Sequence, residues 1–117
     1  MSLQNKSYLF SSYLFWADGG NSNTGAVAKI ERSDLAGGNR YVLMTSSTKQ
    51  LTRPTTIVID FNDLRVYWLD AVAGQVGSCN MDGSAVNIWS ESEFTTMSTM
   101  ALYKVRHQLV LLELTIV

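Results

Sequence analysis

Two carboxylates stand where a strand would end. Asp18 and Asp70 each follow a tryptophan by two residues, in Phe15-Trp16-Ala17-Asp18 and Tyr67-Trp68-Leu69-Asp70. A carboxylate there can accept hydrogens from turn amides or from an adjoining segment, or it can ligate a metal. The structural role is favoured. Calcium takes about six to eight oxygens, and no DxDxDG-like loop occurs in the chain. Trp16 and Trp68 can bury a large apolar area against a neighbouring unit, or stack on a ligand; burial is the expectation. The sole histidine, His107, sits in Arg106-His107-Gln108, a polar turn, and no Gly-x-Ser-x-Gly elbow accompanies it. No nucleophile–base pair can be assembled, and no Cys/His cluster suggests zinc. Catalytic, cofactor and metal sites are therefore all expected to be absent. The single cysteine, Cys79, excludes an intrachain disulfide and reads as a small buried strand residue. Asn5-Lys6-Ser7 matches the N-glycosylation acceptor pattern, which leaves Asn5 a possible modification site.

Composition narrows the class. At 46% hydrophobic and 16% charged residues, the 117-residue chain is too apolar to be disordered. A formal net charge of -1 with scattered Lys and Arg gives no footprint for nucleic acid or an anionic membrane. No apolar run reaches the roughly 18 residues of a membrane-spanning helix, so no membrane insertion by this segment is expected. The stretch from Tyr8 to Trp16 reads as strand and not as a secretory signal.

The elements that must position these residues are short strands divided by turn formers. Strands are expected at Tyr13–Ala17, Ala26–Ser33, Tyr41–Thr45, Thr56–Phe61, Arg65–Leu69, Gly74–Asn80, Ala85–Trp89, Ser98–Lys104 and Leu109–Ile116. Turns are expected at Leu35–Asn39, Asn62-Asp63 and Asp82-Gly83. Short strands at even spacing suit a sandwich, a barrel or a propeller, and the internal repeat decides among them. Trp16 and Trp68 are 52 residues apart, while Leu35 and Met81, and Gly37 and Gly83, are 46 apart. The 6 extra residues fall after Asp18, which predicts an enlarged, exposed hairpin at Gly19–Gly25. A decayed third copy aligns Met97–Leu102 with Pro54–Ile59 and sets Leu111 in place of Trp68 and Glu113 in place of Asp70. A spacing of about 40–50 residues with four strands per unit is that of a propeller blade. The fold class is thus all-β, a partial β-propeller of about two to three blades of four antiparallel strands. The repeats are placed at about 8–50, 51–93 and, degenerate, 94–117.

These stretches resemble the YWTD repeats of the low-density lipoprotein receptor class B family. The hallmark is an aromatic-Trp-Thr-Asp strand, then an Ile-Glu-Arg strand, then Leu-Asp-Gly-Ser-x-Arg. Here it is matched by Phe15–Asp18, Lys29-Ile30-Glu31-Arg32 and Leu35–Arg40, and again by Arg53-Pro54, Asp60, Tyr67–Asp70 and Met81-Asp82-Gly83-Ser84. Ala17 and Leu69 replace the hallmark threonine. The resemblance implies a propeller segment of a lipoprotein receptor-related ectodomain, in which six blades close a ring; this chain has sequence for about two and a half.

The resemblance further implies protein ligands, neighbouring blades and EGF-like modules in a longer protein, and a place on the extracellular side of a membrane. Acid-triggered release, for which histidine is the natural switch, gains little support from His107 in the most decayed copy. Two alternatives remain, a nidogen-like matrix or adhesion propeller and, less favoured, a propeller enzyme. An open array of under three blades would expose apolar faces and strand edges, so the isolated chain is expected to be poorly stable or to oligomerise.

Overall fold

The computed structural model describes residues 7–10, 13–47, 51–105 and 108–113, and the side chains of 13–47 and 51–101. Its strands form three antiparallel sheets, each a simple meander. The first holds β1 (Ser7–Phe10), β2 (Tyr13–Asp18), β3 (Lys29–Asp34) and β4 (Tyr41–Thr45) in that order. The second holds β5 (Thr56–Asp60), β6 (Arg65–Asp70), β7 (Gln75–Asn80) and β8 (Asn87–Ser90). The third pairs β9 (Met100–Val105) with β10 (Gln108–Glu113). The leading strands β1, β5 and β9 lie against one another, so the sheets stack as successive blades.

Blade two is apolar on both faces. Every residue of β5 is buried, and so is all of β6 except Arg65. Ile57, Ile59, Val66, Trp68 and Cys79 face blade one and share a core with Phe15, Ala17, Ile30 and Leu43. Val58, Tyr67, Leu69 and Val76 face the other way and pack with Met97 and Met100. Covering both faces explains why these strands read as near-continuous apolar runs and not as alternating ones.

The two complete blades turn alike. In each, the residue ending the third strand (Asp34, Asn80) accepts a bond from the amide three residues on, Gly37 at 3.0 Å and Gly83 at 2.9 Å. Both glycines need the left-handed backbone, with φ of 86° and 88°, and the same region recurs two residues later at Asn39 and Ala85. The blades differ between their second and third strands. Four residues, Ala71–Gly74, make that turn in blade two, whereas blade one spends Gly19–Ala28 there, pinched by a bridge between Asn21 and Ala26.

Several boundaries differ from expectation. Tyr8–Trp16 is not one strand: β1 and β2 are separate and antiparallel, with Phe10 opposite Tyr13. The third strand of blade one starts at Lys29 and not at Ala26, because Asn21–Ala26 closes its own small loop. A 3-10 turn at Ser92–Thr96, rich in hydroxyl residues, had no periodic signal. In the third sheet Leu111 lies opposite Leu102, and Met100 opposite Glu113. Equating Met100 with Ile57 and Leu111 with Trp68 would set those two opposite each other, so the register is displaced by two residues. The cause is the shorter link between β9 and β10, two residues against four between β5 and β6.

Candidate functional site

The motif residues gather at the seam between blades one and two. Trp68 lies opposite Gly77 on β7, and its indole covers that glycine so closely that any Cβ there would overlap the ring. Trp68 is fully buried and faces blade one. Trp16 points to the opposite face of blade one from Phe15 and Ala17, the residues that face blade two. Opposite Trp16 stands Glu31, whose buried carboxylate accepts two bonds from the Arg40 guanidinium, both at 2.9 Å, and pairs with Lys29 at 2.9 Å. The Arg40 guanidinium lies 5.5 Å from the Trp16 ring centroid. The glutamate and the last arginine of the hallmark are therefore partners across the β3–β4 turn.

Asp70 closes one end of the seam. Its Oδ2 accepts the backbone amides of Thr52 and of Arg53 (2.9 Å), and its Oδ1 accepts that of Ala73 at 3.1 Å. One buried carboxylate thus ties the β4–β5 connector to the β6–β7 turn. Asp18 is only half-buried and, among the described residues, accepts one bond, from the Gly20 amide at 2.9 Å. Asp60, at the tip of β5, caps its own turn through the amides of Asn62 and Asp63, at 3.0 and 3.2 Å.

At the other end, Arg32 crosses the seam. It donates to the Met81 carbonyl at 2.7 Å, between the rings of Tyr13 and Tyr41, each 4.8 Å from its guanidinium carbon. Tyr41 donates to the Asp82 carbonyl at 3.0 Å. Gly83 presses on the Leu43 carbonyl, leaving no room for a side chain. Leu35, the counterpart of Met81, is exposed, whereas Met81 packs at the edge of the shared core. Arg32 is a seam residue that local sequence patterns do not reveal, since its partner lies 49 residues away. Trp89 stacks on Tyr67 at 6.3 Å on the other face of blade two.

Of the residues considered for chemistry, Cys79 is fully buried in the shared core, and burial pushes its thiol up to about 12. That makes it an inert apolar residue and not a nucleophile. Among the described residues no three His, Cys, Asp or Glu side chains gather closely enough to hold a metal. Asn5 and His107 lie outside the described residues.

One groove opens beside Asp70. It has a volume of about 640 Å³ and runs between the enlarged Gly19–Ala28 hairpin and the connector, with Ser46, Thr52, Arg53 and Val72 on the far side. The hairpin is ordered by its own bonds. Asn21 donates its amide to the Ala26 carbonyl at 2.9 Å, and its side chain accepts the Asn23 amide at 2.9 Å.

Comparison with known proteins fits this geometry. Residues 12–61 match the family model described as low-density lipoprotein receptor repeat class B. This stretch is similar to a class B repeat of the low-density lipoprotein receptor type. The matched segment begins before β2 and ends after β5, so it is offset from the blade by one strand and joins blade one to blade two. The low-density lipoprotein receptor-related protein 5 of Mus musculus and that of Homo sapiens are each 39% identical over 57 residues, which is 49% of this chain. The chain spans 3% of the length of those relatives. A chain in the crystal structure of the nidogen/laminin complex aligns with a TM-score of 0.58 and 23% identity, over 68% of this chain and 28% of that one. The fold is a partial β-propeller.

Proposed function

We propose that this chain is a non-catalytic propeller segment of a receptor ectodomain, a scaffold that holds loops in place for macromolecular ligands. The observation that carries this reading is the division of labour along the class B motif. Trp68, Asp70, Glu31 and Arg40 are spent on packing and on tying backbone together, while the polar loops at the blade ends face solvent. A site for chemistry would instead converge titratable groups in a cleft. The likeness to receptor-related proteins supports a position on the extracellular side of a membrane, within a longer protein that supplies further blades and EGF-like modules. In this reading the blades correspond to residues 8–50, 51–93 and 94–117, and Phe15, Trp16, Asp18, Leu35, Gly37, Tyr67, Trp68, Asp70, Met81 and Gly83 are structural.

An antibody raised against the folded chain tests this on intact and on permeabilised cells. Staining of intact cells, removed by external protease, is the expected result. A native product found only after permeabilisation, in the cytosol, would overturn the proposal.

A further inference from the structure

We propose that the groove at the seam is a binding site for a carboxylate-bearing segment of a protein ligand, with Arg53 as the residue that pairs the carboxylate. This deepens the scaffold reading and rests on it.

The case starts from charge. Among the described residues lining the groove Arg53 is the one cation, and none is Asp or Glu. Its side chain is exposed and runs over Gly19, whose missing Cβ leaves about 3.1 Å to the Arg53 Cγ. Among the described residues its guanidinium makes no ion pair or hydrogen bond, although its backbone amide is fixed by Asp70. The two nearest motif carboxylates are already engaged. Asp70 is fully buried beneath the connector, and Asp18 accepts the Gly20 amide. An exposed guanidinium, anchored through its backbone and without a partner among the described residues, suits bidentate capture of a carboxylate.

The facing wall is specific to blade one. Blade two makes the same connection with a four-residue turn, so the 6 additional residues build nothing but this wall. On this wall Asn21, Ser22 and Asn23 line the groove, and their side-chain amides and hydroxyl can meet the backbone of an extended peptide. The wall is also preorganised, which lowers the ordering cost of binding. Gly20 sits at φ 75° with its α-carbon against the Ala26 carbonyl, where a Cβ would come within 2.7 Å, so the hairpin shape is fixed by backbone contact. A sulfated glycan takes an array of cations, and the net charge of -1 argues for a carboxylate-bearing peptide instead.

The test is selection of a displayed random dodecapeptide library on the immobilised 117-residue chain, followed by affinity measurement of the enriched peptides. The expected result is enrichment of peptides with Asp or Glu, whose affinity falls about tenfold or more in Arg53→Gln, as loss of a charge-assisted pair requires. Arg53→Lys should restore part of it. Asn23→Asp, an exposed change on the opposite wall, should weaken the same peptides by repulsion. Circular dichroism of each variant confirms that the fold is kept. Enriched peptides that lack a carboxylate, or that bind Arg53→Gln equally, would overturn the groove while leaving the scaffold reading intact. Failure to enrich any peptide would also overturn it, as would binding of a heparin hexasaccharide in place of peptides. An intracellular native product would instead overturn the scaffold reading itself.

Discussion

Replacing Asp70 with alanine strips the acceptor from three backbone amides at once, those of Thr52, Arg53 and Ala73. A hydrogen bond to a charged group contributes about 1.5–3 kcal/mol, and an amide left without an acceptor costs about 1–3 kcal/mol. Thr52 and Arg53 are exposed residues, so water can recover part of the loss at the connector. The sum is then about 3–5 kcal/mol for Asp70→Ala. The more conservative Asp70→Asn can turn its carbonyl to Thr52 and Arg53 and lose only the Ala73 bond, for about 1–3 kcal/mol. Asp18 holds the same motif position but is half-buried and, among the described residues, accepts a single amide, so Asp18→Ala should cost no more than about 1 kcal/mol. Urea unfolding followed by tryptophan fluorescence at one fixed protein concentration measures all three. With a slope of roughly 1–2 kcal/mol per molar, Asp70→Ala should lower the midpoint by about 2 M or more. Asp18→Ala should barely move it. Equal costs for the two alanine variants would refute the reasoning, since burial and bond count would then not govern the motif carboxylate.

Gly77→Ala should destabilise by about 1–3 kcal/mol or more through overlap with the Trp68 indole, and a smaller residue at Trp68 should relieve part of that cost in a double-mutant cycle. Arg32→Met should cost about 2 kcal/mol by loss of the Met81 bond and the two ring contacts, measured by the same unfolding assay. Ala85→Gly should stabilise by about 1 kcal/mol, because φ of 53° strains alanine but not glycine. Cys79 should resist maleimide until the chain unfolds. Its raised pKa also gives a sign: the unfolded thiol, with an ordinary value of 9.0, loses its proton before the folded one, so its contribution is complete below pH 9 and is lost as the pH climbs toward about 12. The alkaline fall in the urea midpoint should therefore be shallower in Cys79→Ala.

Repetition made much of this architecture legible. The 52-residue and 46-residue offsets located the enlarged hairpin, and in the structure Gly37 and Gly83 take nearly the same φ in nearly the same turn. What local pattern could not supply is the seam. Arg32 reaches Met81, Tyr41 reaches Asp82 and Gly83 nests on Leu43, all across more than 39 positions of sequence. Arg32 was quoted within the Ile-Glu-Arg stretch, but that stretch does not name a partner 49 residues away. The break between β1 and β2 was hidden for a different reason. Strands covered on both faces carry apolar residues at successive positions, so an apolar run does not mark where one strand stops and the next starts. The register of β9 and β10 went astray because the alignment assumed a constant hairpin length, and the third hairpin is two residues shorter than the second. Arg53 was quoted only as part of a motif. Its exposure becomes visible once the connector and the hairpin are seen on either side of one groove.

The central claim is that blades one and two share a core and are not two independent sheets. Proton–proton contacts from isotope-filtered nuclear Overhauser spectroscopy on the 117-residue chain test it most directly. The account predicts contacts from Phe15, Ala17 and Ile30 of blade one to Ile57, Val66 and Trp68 of blade two. Their absence, with contacts confined within each sheet, would contradict it.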